Sequence, residues 1–295
     1  MPQPFGLLNL NKPAGWTSRQ AVDRVARLVK PAKAGHAGTL DPLATGVLVI
    51  CVGQATRLIG FVQEQPKTYR AEFLLGKRSD TDDVTGNVVD VALDRIPERD
   101  EVGSALAGFV GRIQQVPPQF SAVHVDGRRA YKLARRGEAV ELSPRTVEIH
   151  GIDLMRYEFP RLELKIACGS GTYIRSIGRD LGETLGCGAV MSELRRTAIG
   201  AFAIEDAIDP ETMTAESLRS QLLPAMTAVA HLPRYVCTAD DIAELRHGRR
   251  LRVECLDAPL EDGGLTALVA PDGRLAALAV PHERERILQP KQVFC

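Results

Sequence analysis

The sequence predicts an α+β protein built on a largely antiparallel mixed sheet, with a small β-rich unit at its C-terminal end. Three observations carry this. Residues 68–75 and 162–168 alternate apolar and polar side chains, the period-two pattern of strands buried on one face. Helical spacings fall between strands without regular strand–helix–strand alternation and without an internal repeat, which argues against a parallel doubly wound sheet or a solenoid. From about residue 238, short strand patterns and a Pro271-Asp272-Gly273 turn follow one another with a single short helix.

Taken in order, Leu7 to Leu10 is a short strand that runs into a Lys12-Pro13-Ala14-Gly15 turn. The next segment places Ala21, Val22, Val25, Ala26 and Val29 on one helical face, and Thr17 with Gln20 three residues later forms a capping box. Val47 to Val52 is an apolar strand. In the strand at 68–75, Tyr69, Ala71, Phe73 and Leu75 share one face and Thr68, Arg70 and Glu72 the other. Residues 80–87 are an acidic loop, and Asp126-Gly127 marks a tight turn ahead of a basic helix, Arg128 to Arg136. The strand at 162–168 turns Leu162, Leu164, Ile166 and Cys168 inward, and at Gly169-Ser170-Gly171 a helix begins that runs to about Leu185 and stops at Gly186. Residues 205–230 break into short helical pieces. A helix from Asp240 to His247, the segment Arg250 to Val253, a hairpin of Leu265–Val269 and Leu275–Val280, and a closing Pro290 to Phe294 complete the chain. This gives two units, residues 1–230 and 235–295.

A chain of 295 residues exceeds the usual single domain, and 44% hydrophobic with 25% charged residues is an ordinary soluble globular composition. No run approaches a membrane span, and the N-terminus, Met-Pro-Gln-Pro-Phe-Gly, lacks the basic start and apolar core of a signal peptide, so a cytoplasmic location is expected. The six cysteines are scattered with no C-x-x-C pair, which suggests neither a disulfide framework nor a zinc site. Net charge is zero but unevenly placed. Residues 1–60 carry 7 basic and 2 acidic groups and residues 106–200 carry 14 and 10, whereas residues 201–295 carry 10 and 15. The two basic portions also hold the motifs below, as a footprint on a phosphate backbone requires, while the acidic balance of the last portion counts against strong phosphate binding there.

Residues 35–46 read Gly-His-Ala-Gly-Thr-Leu-Asp-Pro-Leu-Ala-Thr-Gly and offer one carboxylate, Asp41, in an otherwise uncharged surround. By itself, Asp followed by Pro reads as a helix N-cap with Pro at the first helical position. A second string, Cys168 to Gly182, supplies a cation, Arg175, about one turn into its helix. Taken singly, Arg175 is a surface arginine, Tyr69 and Tyr173 are packing tyrosines, and His36 is a turn histidine. Neither metal-ligand spacing nor a Rossmann or P-loop glycine pattern occurs.

Together the two strings resemble the motifs of the TruB family of pseudouridine synthases, which act on the T-loop of tRNA. The resemblance covers about residues 6–200 well and the rest loosely. It implies a pseudouridine synthase catalytic domain over 1–230 and a PUA-like RNA-binding domain over 235–295. It implies isomerisation of uridine to pseudouridine at position 55 of the tRNA, on a base flipped out of its stack. In that resemblance Asp41 is the nucleophile or base, and Arg175 pairs with it, keeping it ionised and directed. Tyr69 lies over the target base and takes part in its proton loss, Tyr173 and Leu194 line the pocket, and His36 touches the RNA. Arg179 is solvated or bound to a nearby acid. The reaction oxidises nothing and adds nothing, so no cofactor and no metal is implied. The implied partner is the tRNA T-arm stem-loop, with no membrane, and the protein is expected to be a monomer. A homologue guided onto ribosomal RNA would carry basic extensions, which this sequence lacks. A pure RNA-binding or RNA-folding module would not need Asp41, Tyr69 and Arg175 together.

Overall fold

The computed structural model describes residues 4–120, 124–125, 128–129, 142–253 and 263–295. In chain order the elements are β1 (Gly6–Lys12), α1 (Ser18–Leu28), β2 (Ala34–His36), β3 (Thr45–Val52), α2 (Ile59–Glu64), β4 (Lys67–Leu75), β5 (Lys77–Ser79), β6 (Val88–Asp90), α3 (Arg99–Ala107), β7 (Gly111–Gln115), β8 (His124–Val125) and β9 (Arg128–Arg129). There follow β10 (Arg145–Glu158), β11 (Arg161–Cys168), α4 (Ile174–Thr184), β12 (Ala189–Ile199), β13 (Phe202–Ala203), α5 (Ala215–Ser220), β14 (Arg234–Val236), α6 (Ala239–Arg246), β15 (Leu251–Arg252), β16 (Thr266–Val269), β17 (Leu275–His282) and β18 (Ile287–Val293).

The main sheet has the order β1-β3-β12-β4-β11-β10-β7, with β2 on β3 and β13 on β12. Its pairings are antiparallel except for β12 with β3, a parallel join made only at Arg195–Thr45 and Arg196–Gly46. The sheet is therefore two antiparallel halves meeting along two residue pairs, and the Asp41 loop enters β3 at that meeting point. The helices on one face are held by ordinary amphipathic burial. Val22 and Val25 of α1 and Ile177 and Leu181 of α4 pack in one core with Leu8, Leu48, Ala71 and Phe73. Gly178 sits where any Cβ would collide with the Phe73 ring, so the missing side chain lets α4, and with it Arg175, lie close on β4.

The opposite face of β1 and β3, with Leu7, Val47 and Val49, shares a second core with Val62, with Ala267, Leu275 and Leu278 of the C-terminal sheet, and with Phe294 just after its last strand. That sheet has the order β14-β16-β17-β18-β15 and its own small core around Leu245, Leu268 and Leu288. No helix among the described residues is long and apolar enough to cross a membrane.

The capping box of α1 forms, with Thr17 accepting from the Gln20 N–H and the Gln20 side chain accepting from the Thr17 N–H. The alternating strands place Tyr69, Ala71, Phe73, Leu75, Leu162, Leu164, Ile166 and Cys168 in the interior. No helix follows Asp41-Pro42: the Ala44 N–H donates to Asp41 O at 3.1 Å and the chain goes straight into β3, so the alternative of a helix cap does not apply to Asp41. Two expectations are corrected. Arg128 and Arg129 form a strand paired with His124 and Val125, not the start of a helix; Asp126-Gly127 and residues 130–136 lie outside the described residues. The helix expected from Gly169–Gly171 begins at Ile174, because residues 169–173 form a turn into the site. The strands β10 and β12 escape a period-two reading because both carry bulges, which shift the alternation partway along each strand.

Candidate active site

Asp41 lies on the loop between β2 and β3, and neighbouring elements hold that loop. Ser18 Oγ, at the start of α1, donates to Leu40 O at 3.0 Å and accepts from the Leu40 N–H at 2.8 Å. The Gly15 N–H donates to Pro42 O at 2.8 Å. Arg196, 1% exposed on β12, donates from Nε to Val47 O at 2.7 Å and from Nη2 to Gly38 O at 3.0 Å. Gly46 has φ +98 and lies against the Arg196 backbone, where a side chain would both strain and collide. The loop is thus fixed before any ligand arrives.

Arg175 reaches this loop from the first turn of α4. The start of that helix is clamped by Gln115, which accepts from the Tyr173 N–H at 2.8 Å and donates to Tyr173 O at 3.0 Å. The Arg175 side chain is 5% exposed, with Nη2 3.0 Å from Asp41 Oδ2 and Nη1 3.5 Å from Asp83 Oδ2. Nη1 also donates to Thr81 O at 2.7 Å and Nη2 to Phe120 O at 3.2 Å. Asp83 is itself saturated: its Oδ1 accepts from Thr81 Oγ1 at 2.8 Å, the Thr85 N–H at 2.9 Å and Thr85 Oγ1 at 2.6 Å. A buried guanidinium needs carboxylate and carbonyl partners to offset its desolvation, and here it has both.

Asp41 differs from Asp83 in facing outward, with 38% of its side chain exposed. Removal from water raises its carboxyl above the ordinary value; the Arg175 guanidinium pulls it back and Asp83 adds to the rise. The charged form is thus held by Arg175 against its surroundings. Tyr69, 7% exposed, lies directly across from Arg196 in the β4–β12 register. Burial raises its phenol, with Arg196 opposing, so Tyr69 stays a neutral phenol near pH 7. Two further cations flank the site. Lys12 is fully buried, with Nζ donating to Pro13 O at 2.9 Å and Trp16 O at 2.6 Å. Lys67 donates to Gln63 O. Burial lowers each of them to about 8.

Asp41, Tyr69, Tyr173, Arg175, Leu194 and Arg196 all line one cavity of about 300 Å³, at the low end of small-ligand pockets. Arg145 also lines it; its guanidinium stacks over the Tyr173 ring at 4.6 Å and donates to Gly171 O. His36 is not among the lining residues. It lies in β2, its Nδ1 buried without a hydrogen-bond partner among the described residues, and its imidazole is pushed down by burial and by Arg196 and Arg19, hence neutral. Arg179 is bound to acids, with Nη1 3.0 Å from Asp82 Oδ2 and Nε 2.8 Å from Asp180 Oδ1. Asp83, Arg196 and Gln115 carry no mark in the sequence that singles them out. The Thr-x-Asp-x-Thr spacing around Asp83 signals a local Asx-type turn but not its distant partner, Arg175.

Comparison with known proteins adds the lineage. The model described as TruB family pseudouridylate synthase (N terminal domain) matches residues 26–174, and the tRNA pseudouridylate synthase B C-terminal domain matches residues 175–230. The tRNA pseudouridine synthase B of Microcystis aeruginosa (strain NIES-843 / IAM M-2473) is 42% identical over 98% of this chain and 99% of its own length. That of Rhodopseudomonas palustris (strain ATCC BAA-98 / CGA009) is 43% identical over 98% of this chain and 80% of its own length. Among solved structures, a chain of a Cbf5-Nop10-Gar1 complex superposes with TM-score 0.75 at 28% identity, covering 99% of this chain and 85% of that one. A chain of an H/ACA RNP bound to a substrate RNA containing 2′-deoxyuridine gives TM-score 0.75 at 27% identity over the same shares. The first matched segment contains Asp41 and Tyr69 and the second opens at Arg175, so the ion pair at the cavity joins both segments, and the chain belongs to the TruB family of pseudouridylate synthases.

Proposed function

We propose that this protein isomerises uridine to pseudouridine at position 55, in the T-loop of tRNA, with Asp41, Tyr69 and Arg175 as its catalytic residues. The observation that carries the reading is the Asp41 carboxylate, open to a base-sized cavity and fixed at 3.0 Å by a buried guanidinium that is anchored elsewhere. The names of the relatives, tRNA pseudouridine synthase B, support tRNA as the substrate.

A stacked uridine must leave its stack to reach such a cavity. In the reaction the C1′–N1 bond breaks, the uracil turns over, C5 bonds to C1′, and the C5 proton leaves while N1 gains one, so the exchange balances without oxidant, donor or cofactor. Asp41 opens it as nucleophile or base, and Arg175 limits the directions from which its oxygens can approach. A base seated in the mouth excludes water, which strengthens the Asp41–Arg175 interaction when charge moves. Tyr69 contributes a ring against the base and a neutral hydroxyl, across the strand pair from Arg196, as a relay for the C5 proton. Tyr173 and Leu194 close the cavity walls. Residues 235–295 serve as the RNA-binding unit, and the protein acts as a monomer on the T-arm.

A T-arm stem-loop alone should be a substrate, with a rate that falls as salt rises, because folded shape presents the base and phosphate contacts position it. Initial rates on the stem-loop and on a stem-disrupted version at two salt concentrations test this. Comparable rates on both RNAs would show that linear sequence, not the folded loop, is read.

A further inference from the structure

On the face of the main sheet that alternates away from Tyr69, register sorts charge into rows. Lys165 of β11 lies directly opposite Arg70 of β4, Arg70 opposite Arg195 of β12, and Arg195 opposite Thr45 of β3. Two residues along each strand, the same register sets Glu163 opposite Glu72 and Glu72 opposite Glu193. Like charges directly opposite each other on neighbouring strands are destabilising, and a sheet shaped by stability alone alternates sign across strands. The acidic row is partly relieved, since Glu72 accepts from Ser192 Oγ at 2.8 Å and meets Arg161 at 3.3 Å. The basic row is not. Arg70 and Arg195 are exposed and have no hydrogen-bond or ion-pair partner among the described residues, and Lys165 reaches only the exposed Asp153, at 3.5 Å.

The basic row is the one beside the site. Along the strands it adjoins site residues, Arg70 following Tyr69 and Arg195 preceding Arg196, with its side chains on the opposite sheet face. A groove of about 770 Å³ lined by Arg70, Arg195 and Thr45 shares Leu194 with the Asp41 cavity, and the acidic row lines it too. Three cations at strand spacing span roughly 10 Å. We propose that Lys165, Arg70 and Arg195 form a track for the phosphodiester backbone of the substrate RNA next to the flipped nucleotide, with the acidic row confining that backbone to the site side. The assignment rests on the reading of the substrate as RNA. A bound phosphate backbone supplies the counter-charge that the free sheet lacks.

The test is the full chain carrying Arg70→Gln and Arg195→Gln together, with Arg156→Gln, an exposed arginine outside the row, as control. Affinity for a T-arm stem-loop is measured across a salt series, alongside thermal melting. The double variant should bind about tenfold or more weakly at low salt, and the slope of log K against log salt should shrink by roughly 0.7–0.9 for each phosphate that the protein no longer neutralises. It should melt at the same or a higher temperature than wild type, because opposed like charges are gone. The control should leave the slope unchanged. An unchanged slope in the double variant, an equal loss in the control, or a lower melting temperature would overturn the track. Absence of pseudouridine in RNA treated with wild type would instead overturn the functional reading, whatever the slope does.

Discussion

Asp83 faces Arg175 with 3.5 Å between Oδ2 and Nη1, and both side chains are 5% exposed. This second carboxylate fixes the guanidinium independently of Asp41, so the cation is in place before substrate enters. Removing one partner of a buried ion pair costs about 3–5 kcal/mol. Asp83→Ala also strands the Thr81 and Thr85 donors, so it should lose stability in that range and activity by roughly 10²-fold or more, measured by denaturant unfolding and single-turnover rates. Unchanged stability, with a rate within twofold of wild type, would show that Arg175 is held without Asp83.

A carboxyl raised on folding has a definite linkage sign. The folded state binds its proton more tightly than the unfolded chain, so the stability it contributes is complete below the ordinary carboxylate value and is lost as pH rises through the raised folded value. At neutral pH the ionised Asp41 therefore costs stability. Asp41→Asn should melt higher than wild type at pH 7, and the gap should close as pH falls toward about 4. Wild-type turnover should fall as pH drops through the raised Asp41 value. A destabilised Asn variant at pH 7 would contradict the electrostatic description.

Tyr69→Phe keeps the ring and removes the buried hydroxyl. RNA binding should survive while the chemical step slows by about 10²–10⁴-fold, and Tyr69→Ala should lose both. Equal single-turnover rates for the Phe variant would confine Tyr69 to stacking.

Phe294 ties the C-terminal sheet to the main one. It stacks on Phe5 at 5.7 Å, lies under the Arg57 guanidinium at 4.8 Å and is 7% exposed. Phe294→Ala should cost about 3 kcal/mol in chemical denaturation without changing the single-turnover rate. The same shared core predicts that removing residues 235–295 exposes apolar surface around Leu7 and Val47, so weaker RNA binding after truncation would need to be separated from loss of fold.

How much of this is legible in the sequence depends on whether the signal is local. The α1 capping box, the β4 and β11 alternations and the Gly186 stop are set by neighbours a few residues away, and they can be read directly. The bulged β10 and β12 cannot, since each bulge resets which face the next residue takes. Asp41, Tyr69, Tyr173, Arg175 and Leu194 converge on one cavity through long-range packing that only the two motif strings foreshadow. Asp83 and Arg196 escape a sequence reading because their roles are contacts with residues far away in the chain, and a buried arginine on a strand has no local mark. His36 shows the converse: it sits inside the motif, yet β2 pairing with β3 places it outside the cavity lining.

The proposed role of Asp41 in uridine isomerisation is tested on unmodified tRNA itself. Unmodified tRNA is incubated with wild type and with Asp41→Asn, and pseudouridine is mapped along the RNA. Wild type should leave a single pseudouridine, in the T-loop, and the variant none, a loss on the order of 10⁴-fold or more at nearly unchanged RNA affinity. Appreciable turnover by Asp41→Asn, or no pseudouridine from wild type, would contradict it.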